Sequence, residues 1–404
     1  MSRVDFLKDI FFNTLETVEP HKLIHKNISY KNNEISIQNK TFPLNRKITL
    51  LGSGKASLLM AKGIHEIMGE MIEKSILVSQ SSNSFNLPNT KYIKSCHPIP
   101  CEQSIQSAKL IQKSLSSLKE DDFFIYLLSG GNSSLVELPE ENISLEEFQE
   151  MTDLMLKNAL PIEAINCVRK HISQVKGGKL RFSTKAKGIV LVLSDVLGNS
   201  FNDIGSAPFF FDNTTYENAL KYLHKYNIWD KCPKTIQNIL LEQKNETPKK
   251  ESNTIKHFLL GSNNIVLKTA KNLLELQNIK STVYFESISQ DVEKTARIFK
   301  DFIKNNSNTP SAFIFGGEAT VQVKKNGKGG RNQHLALLMT DFLKDYPHVT
   351  FLSSATDGRD GNSDACGAVI DSKTILKAIE FGIKTDLFLN NFDSNLHSTH
   401  KCNI

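Results

Sequence analysis

Several large classes of protein are excluded by what this sequence lacks. Its 404 residues hold six cysteines, Cys96, Cys101, Cys167, Cys232, Cys366 and Cys402, with no Cys-x-x-Cys pair among them. Zinc-ligand and redox-pair spacings are therefore absent, and a disulfide framework is not expected in a chain of this size. The cysteines read as reduced, mostly buried small residues. No apolar run reaches the roughly 18 residues of a membrane span. The first segment, Met1 to Val18, mixes Asp5, Asp9 and Glu16 with Val4, Leu7, Phe11, Leu15 and Val18. That is a helical period ended by Pro20, not an export signal or a transit peptide. The net charge of +6 is spread along the chain, without a basic stripe interleaved with aromatics. Neither nucleic acid nor membrane is expected as a partner, and a cytoplasmic location is the default. A mild positive balance suits a small anionic substrate.

What is present fits an ordinary globular protein, with 39% hydrophobic and 23% charged residues. The length allows two or three domains. Short apolar runs alternate with longer amphipathic ones. Strands are expected at Lys47–Leu51, Ser75–Ser79, Tyr92–Ser95, Phe123–Leu128 and Ile189–Leu193. Helices are expected at Ala56–Met68, Ser104–Leu118, Leu145–Leu160 and Tyr216–Tyr226. This alternation predicts an α/β fold with a mostly parallel sheet covered on both faces. Glu242 to Thr254 is polar and aperiodic and reads as a linker or loop. The pattern then resumes from Lys256. The expected division is a first domain at 1–240, a linker at 241–254 and a second domain at 255–404.

Polar glycine motifs recur at the C-terminal ends of the predicted strands, the edge where open α/β sheets bind ligands. Leu51–Ser57, LGSGKAS, is neither a Walker A loop nor a good dinucleotide fingerprint. Gly54 and Lys55 there form an anion site or a structural turn with a solvated lysine. Leu128–Leu135, LSGGNSSL, offers Ser129, Gly130, Gly131, Asn132 and Ser133 as donors to a polyanion. His171–Leu180 sets Lys176 and Lys179 around two glycines, a pattern that a plain helix C-terminus also favours. Asp195 ends a hydrophobic strand in LSDVLGNSFNDIGSAP, where a carboxylate costs desolvation unless it is used or paired. The run Gly316 to Gln333 holds Glu318, Gly329, Gly330, Arg331 and Asn332, with five glycines, and reads as a strand, a glycine loop and a helix start. Ala355–Gly367 carries Asp357, Asp360 and Asp364 in one short loop.

Taken in order, these segments resemble the glycerate 2-kinase family, whose C-terminal domain is called MOFRL. CHPIP at Cys96–Pro100 and TDGRDGNSDACGA from Thr356 complete the match, which covers nearly the whole chain. The resemblance implies an N-terminal Rossmann-like α/β/α domain, a C-terminal mixed-sheet α/β domain of MOFRL type, and an active site in the cleft between them. It implies ATP- and Mg²⁺-dependent phosphorylation of D-glycerate to 2-phosphoglycerate, with a homodimer left open. Lys55, Asp195 and Arg331 are the implied catalytic residues. Glu318 is carried over with them as a binding residue, and the motifs themselves add Gly54, Ser129, Gly130, Gly131, Asn132, Ser133, Lys176, Gly329, Gly330, Asn332, Asp357 and Asp360 as candidate binding residues. Asp195 and Glu318 are the candidate Mg²⁺ ligands, Asp195 doubling as candidate base. Asn199, Ala207 and His334 stand where the family usually has Asp, Gly and Glu. Only Asn395 to Ile404 follow the Asn390–Ser394 segment, so most of the family's last Gly/Thr/Asn-rich element is expected to be absent. Two other functions stay open: a hydroxypyruvate reductase, opposed by the missing ribose-binding acid after Ser79, and a non-catalytic metabolite-binding protein.

Overall fold

The structure, a computed structural model, describes residues 1–82, 85–194, 198, 200–308, 310–322 and 326–395. It divides into two compact units. Glu19–Ser262 forms the larger one, and Met1–Val18 joins the chain from Asn263 onward in the other. The opening helix, α1 (Arg3–Thr17), is capped by Ser2, whose hydroxyl accepts from the Asp5 amide.

The larger unit starts with α2 (Pro20–Asn27) and a three-stranded antiparallel meander, β1 (Ile28–Lys31), β2 (Glu34–Ile37) and β3 (Lys40–Pro43). There follow β4 (Ile48–Ser53), α3 (Ser57–Met68), β5 (Ile72–Ser79), β6 (Thr90–Lys94), α4 (Glu102–Ser116), β7 (Phe123–Leu128), a single turn α5 (Asn132–Leu135), α6 (Leu145–Lys157) and α7 (Ile162–His171). β8 (Lys187–Leu193), α8 (Tyr216–Lys225), α9 (Lys234–Glu242) and β9 (Ile255–Gly261) complete it. The six long strands are all parallel, in the order β6-β5-β4-β7-β8-β9. Taken by chain order this is 3-2-1-4-5-6, the order of doubly wound sheets, whose binding crevice opens where the order reverses. Here the reversal lies between β4 and β7.

Near-continuous apolar strands are what a sheet buried on both faces requires. Ile125 and Leu127 of β7, with Ile189 and Leu191 of β8, face Leu58, Ala61 and Ile64 of α3. Phe124, Tyr126, Val190 and Val192 face the opposite way, onto Ala108, Ile111 and Leu115 of α4. A separate helical cluster joins α6, α7, α8 and α9 through Phe148, Met151, Val168, Leu223 and Ile236.

The second unit adds α10 (Asn263–Leu276), β10 (Ser281–Ile288), α11 (Val292–Asn306), β11 (Ala312–Gly317), α12 (Arg331–Leu343), β12 (Thr350–Ser354), β13 (Gly367–Asp371), α13 (Ser372–Glu380) and α14 (Thr385–Asn391). Among the described residues the strands form two separate ladders, β10–β11 parallel and β12–β13 antiparallel, rather than one mixed sheet. Their shared core is Phe299, Ile303, Met339, Leu343 and Ile370. α1 packs here, on α10 and β13.

Two expected boundaries move. β9 is the edge strand of the larger unit's sheet, paired with β8, so the division falls at 262/263. The polar 241–254 stretch is a loop within that unit, not a linker. Thr247 is buried and donates to Asp212, while Glu246 pairs with His171. Polar composition reports solvent preference but not which side chains a fold encloses. In the turn after β8, Ala207 adopts φ 54° and ψ 63°, the left-handed region that a Cβ disfavours. This accounts for glycine being usual at that position in the resembling family. Ala207→Gly is expected to raise stability by about 1 kcal/mol, read as a higher urea midpoint at unchanged m-value.

Candidate active site

In the larger unit the candidate residues gather at the strand-order reversal. β4 and β7 are hydrogen-bonded neighbours, with Ser53 opposite Leu128, so the turns that follow them touch. Gly54 has φ 122°, and a Cβ on it would stand 2.2 Å from Ser129 Oγ and 2.6 Å from Ser129 O. Glycine is what allows the two backbones to close. Across the contact the Lys55 amide donates to Gly130 O at 2.9 Å, and the Ala56 amide to Ser129 Oγ at 3.0 Å. A Cβ on Gly131 (φ 86°) would lie 3.1 Å from the His97 ring and 3.6 Å from Lys55 Cγ. Lys55, His97 and Gly131 therefore share one accessible spot, with Lys55 and His97 exposed. Partial burial and the Lys55 charge hold His97 below the ordinary imidazole pKa, so at neutral pH an uncharged ring sits beside the cation. His97 belongs to the CHPIP segment, whose position in the sequence was the signal for it.

The same segment corrects the reading of the cysteines. Cys96 and Cys101 form a disulfide, with Cα atoms 5.8 Å apart. The Pro98–Pro100 turn brings together two thiols whose spacing matches no motif. Cys167, Cys232 and Cys366 are buried thiols outside any disulfide.

Beneath the loops, polar groups hold one another. Ser53 Oγ lies 2.6 Å from the buried Tyr126 hydroxyl and donates to Asn132 Oδ1, while Asn132 Nδ2 donates to Gly205 O at 2.8 Å. Asn132 thus braces the loop from inside. Lys176 does likewise. Its ammonium is enclosed, pairs with Glu137 at 2.9 Å and donates to Ser133 O at 2.6 Å. Burial, only partly offset by Glu137, pushes its pKa down to about 8. Lys176 therefore positions the Ser133 turn from below and does not reach outward. Lys179 is similarly consumed by Glu140 at 2.6 Å.

In the second unit β11 delivers Glu318 and α12 starts at Arg331. Gly317, at φ 144°, lies against the Ile288 backbone, and the Glu318 amide donates to Ile288 O at 2.7 Å. Arg331 donates to Glu318 Oε1 and, at 3.3 Å, to Ala319 O. Both side chains remain accessible, so the pair adds little to stability. Asp357 is exposed on the 355–367 loop.

Asp360 does something other than the expected ligand contact. Its buried carboxylate accepts from the Asn332 amide at 3.2 Å, Asn332 Nδ2 at 3.1 Å and the Gln333 amide at 2.8 Å, capping α12 from a distant loop. A Cβ on Gly330 would stand 2.4 Å from Asp360 Oδ1, so glycine makes room for the cap. Asn332 also accepts from Ser353 Oγ at 2.8 Å. The Gly329 amide donates to Asn362 Oδ1 at 2.8 Å and so points at the loop. The 392–395 segment docks here. The Lys328 amide donates to Asp393, the Asn395 amide to Lys328 O, and Gln333 Nε2 to Asn395 Oδ1. His334, at the position where the resembling family has Glu, stacks on Phe392 with centroids 5.0 Å apart and lies 3.1 Å from Ser394 Oγ. Asp195 and Asn199 lie outside the described residues.

The all-parallel six-stranded sheet, in the order 3-2-1-4-5-6, defines an α/β protein of the doubly wound class. The family profile described as a domain of unknown function, DUF4147, matches residues 6–241, and the MOFRL family profile matches 311–401. A glycerate 2-kinase of Pyrococcus horikoshii is 35% identical over 94% of this chain and 88% of its own length. A D-glycerate 2-kinase of Thermotoga maritima is 38% identical over 86% and 84%. The crystal structure of a glycerate kinase from Thermotoga maritima superposes with a TM-score of 0.84, at 33% identity, covering 98% of this chain and 93% of the other. The chain belongs to the glycerate 2-kinase family.

Two outcomes check the internal roles. Lys176→Met is expected to cost about 3–5 kcal/mol in urea unfolding, because Glu137 is left buried beside a neutral side chain. A lysine that only touched ligand would leave stability unchanged. Asp360→Ala is expected to cost about 1–2 kcal/mol through loss of the cap. Burial raises the Asp360 pKa despite its hydrogen bonds. The folded state then holds this proton more tightly than the unfolded chain. Relative to Asp360→Asn, the native protein should lose stability as pH rises from about 4 through the folded-state value.

Proposed function

We propose that this chain transfers the γ-phosphoryl group of ATP to the 2-hydroxyl of D-glycerate, giving 2-phosphoglycerate and ADP, and that Mg²⁺ accompanies the nucleotide. The observation that carries the reading is the interlocked pair of turns at the sheet's order reversal, which presents Lys55 beside Gly131. Phosphoryl transfer demands positioning and neutralisation of charge more than covalent chemistry. Lys55 is assigned to phosphoryl or carboxylate oxygens, with the Gly130–Gly131 turn and Ser133 as further donors. Arg331 is assigned to an anionic oxygen at the start of α12, where a ligand oxygen would replace Glu318 as its partner. Asp195 is assigned as the carboxylate that takes the hydroxyl proton or binds the metal.

Mg²⁺ takes oxygen ligands and is commonly held by one or two carboxylates together with substrate phosphates. Glu318 is accessible and fits that role, whereas Asp360 is occupied by its helix amides. The ion would neutralise developing charge on the phosphates, and Glu318 would offer it a carboxylate ligand. Lys176, Asn132 and Asp360 act in this reading by shaping the loops.

Purified enzyme with Mg-ATP and D-glycerate is expected to release ADP and 2-phosphoglycerate, resolved from the 3-isomer by chromatography. Lys55→Ala and Arg331→Ala should each lower kcat/KM by about 10²-fold or more. Lack of turnover with any short hydroxy acid would refute the assignment, and NADH consumption with hydroxypyruvate would replace it with a reductase.

A further inference from the structure

Away from these loops, three metal-ligating side chains converge on the outer face of the larger unit. His21 and His25 lie four residues apart on α2, and so share one helix face. Glu66 comes from α3. His21 Nε2 is 2.5 Å and His25 Nε2 2.8 Å from the same atom, Glu66 Oε2. One potential ligand atom from each residue lies within 4.8 Å of the other two. The imidazoles meet edge to face, with centroids 4.8 Å apart at 67°, so both present a nitrogen to the carboxylate.

The backbone brings this about. Gly63, one turn before Glu66 on α3, faces α2; a Cβ on it would stand 2.8 Å from Ile24 Cγ2 and 3.2 Å from His21 O. The missing side chain lets α2 settle onto α3 closely enough for Glu66 to reach both rings. Lys62, the other charged neighbour on α3, stays 4.0 Å from Glu66 Oε1 and leaves Oε2 to the histidines.

We infer that His21, His25 and Glu66 form a binding site for a transition-metal ion of the Zn²⁺ type. Two imidazoles at i and i+4 with one carboxylate suit Zn²⁺ and its neighbours, not Mg²⁺. Ligand–metal distances of about 2.0–2.2 Å put tetrahedral ligand atoms about 3.4 Å apart. The three atoms reach that spacing by side-chain movements of about an ångström. The side chains are 22%, 42% and 42% exposed, which leaves solvent to complete the coordination. A bound ion would clamp α2 to α3, the helix that follows the Lys55 turn. The site is independent of the proposed kinase activity.

The full chain, stripped with chelator, is titrated with Zn²⁺ by calorimetry and with Co²⁺ by visible absorption. One saturable equivalent of Zn²⁺ per chain is expected, with a Co²⁺ ligand-field band displaced by Zn²⁺. His25→Ala and Glu66→Gln should each weaken Zn²⁺ binding at least about tenfold, while Lys62→Ala, whose ammonium stands 4.0 Å from the other Glu66 oxygen and would donate no ligand atom, should not. His21→Gln serves as a second variant if His25→Ala fails to fold, checked by circular dichroism. Absence of a saturable equivalent, or ligand variants that bind as tightly as the native chain, would overturn the site and leave a hydrogen-bonded cluster only.

Discussion

The close contact between the turns after β4 and β7 is the constraint on which the candidate site depends. Parallel neighbours in a twisted sheet bring their C-terminal ends together, but only as near as the side chains allow. At Gly54 there is no side chain, and Ser129 fills the space a Cβ would need. The amides of Lys55 and Ala56 are then satisfied by the partner turn. Lys55 begins from a rigid base, and its stem lies alongside Gly131 and His97. Neither turn could hold this geometry alone, because each takes its hydrogen-bond partners from the other.

A second principle runs through both units: buried charges and amides brace the loops from behind. Lys176 holds the Ser133 carbonyl while paired with Glu137, and Asn132 ties the β7 turn to Gly205. In the second unit Asp360 satisfies the first amides of α12, and the 392–395 segment packs over the glycine loop through Ser394 and Asn395. Lys176 and Asp360 are enclosed together with hydrogen-bond partners, because an unpaired buried charge would cost several kcal/mol. Lys55, His97, Glu318 and Arg331, by contrast, stay accessible to solvent.

Much of the element plan was legible in the chain. Phe123–Leu128 and Ile189–Leu193 are apolar throughout, as strands covered on both faces require. The meander at residues 28–43 was not legible, since its four-residue strands carry too little alternation. β9 was recognised as a strand but placed in the wrong unit, because period says nothing about which sheet a strand joins. The Cys96–Cys101 bridge escaped notice for a similar reason: a local turn, and no motif, sets the distance between those thiols.

The candidate site divides along the same line. The residue types and their order along the chain determined the family and marked the glycine loops, Lys55, Glu318 and Arg331 as candidates for anion binding. Covalent order suffices for that, since glycine permits left-handed backbone and a cation next to it attracts anions wherever the segment lies. Only the tertiary structure decided that Lys176 and Asp360 point inward as braces, that His97 stands beside Lys55, and that α2 and α3 bring two histidines to one carboxylate. Those outcomes depend on which surfaces close over a side chain, and burial is a property of the packed whole.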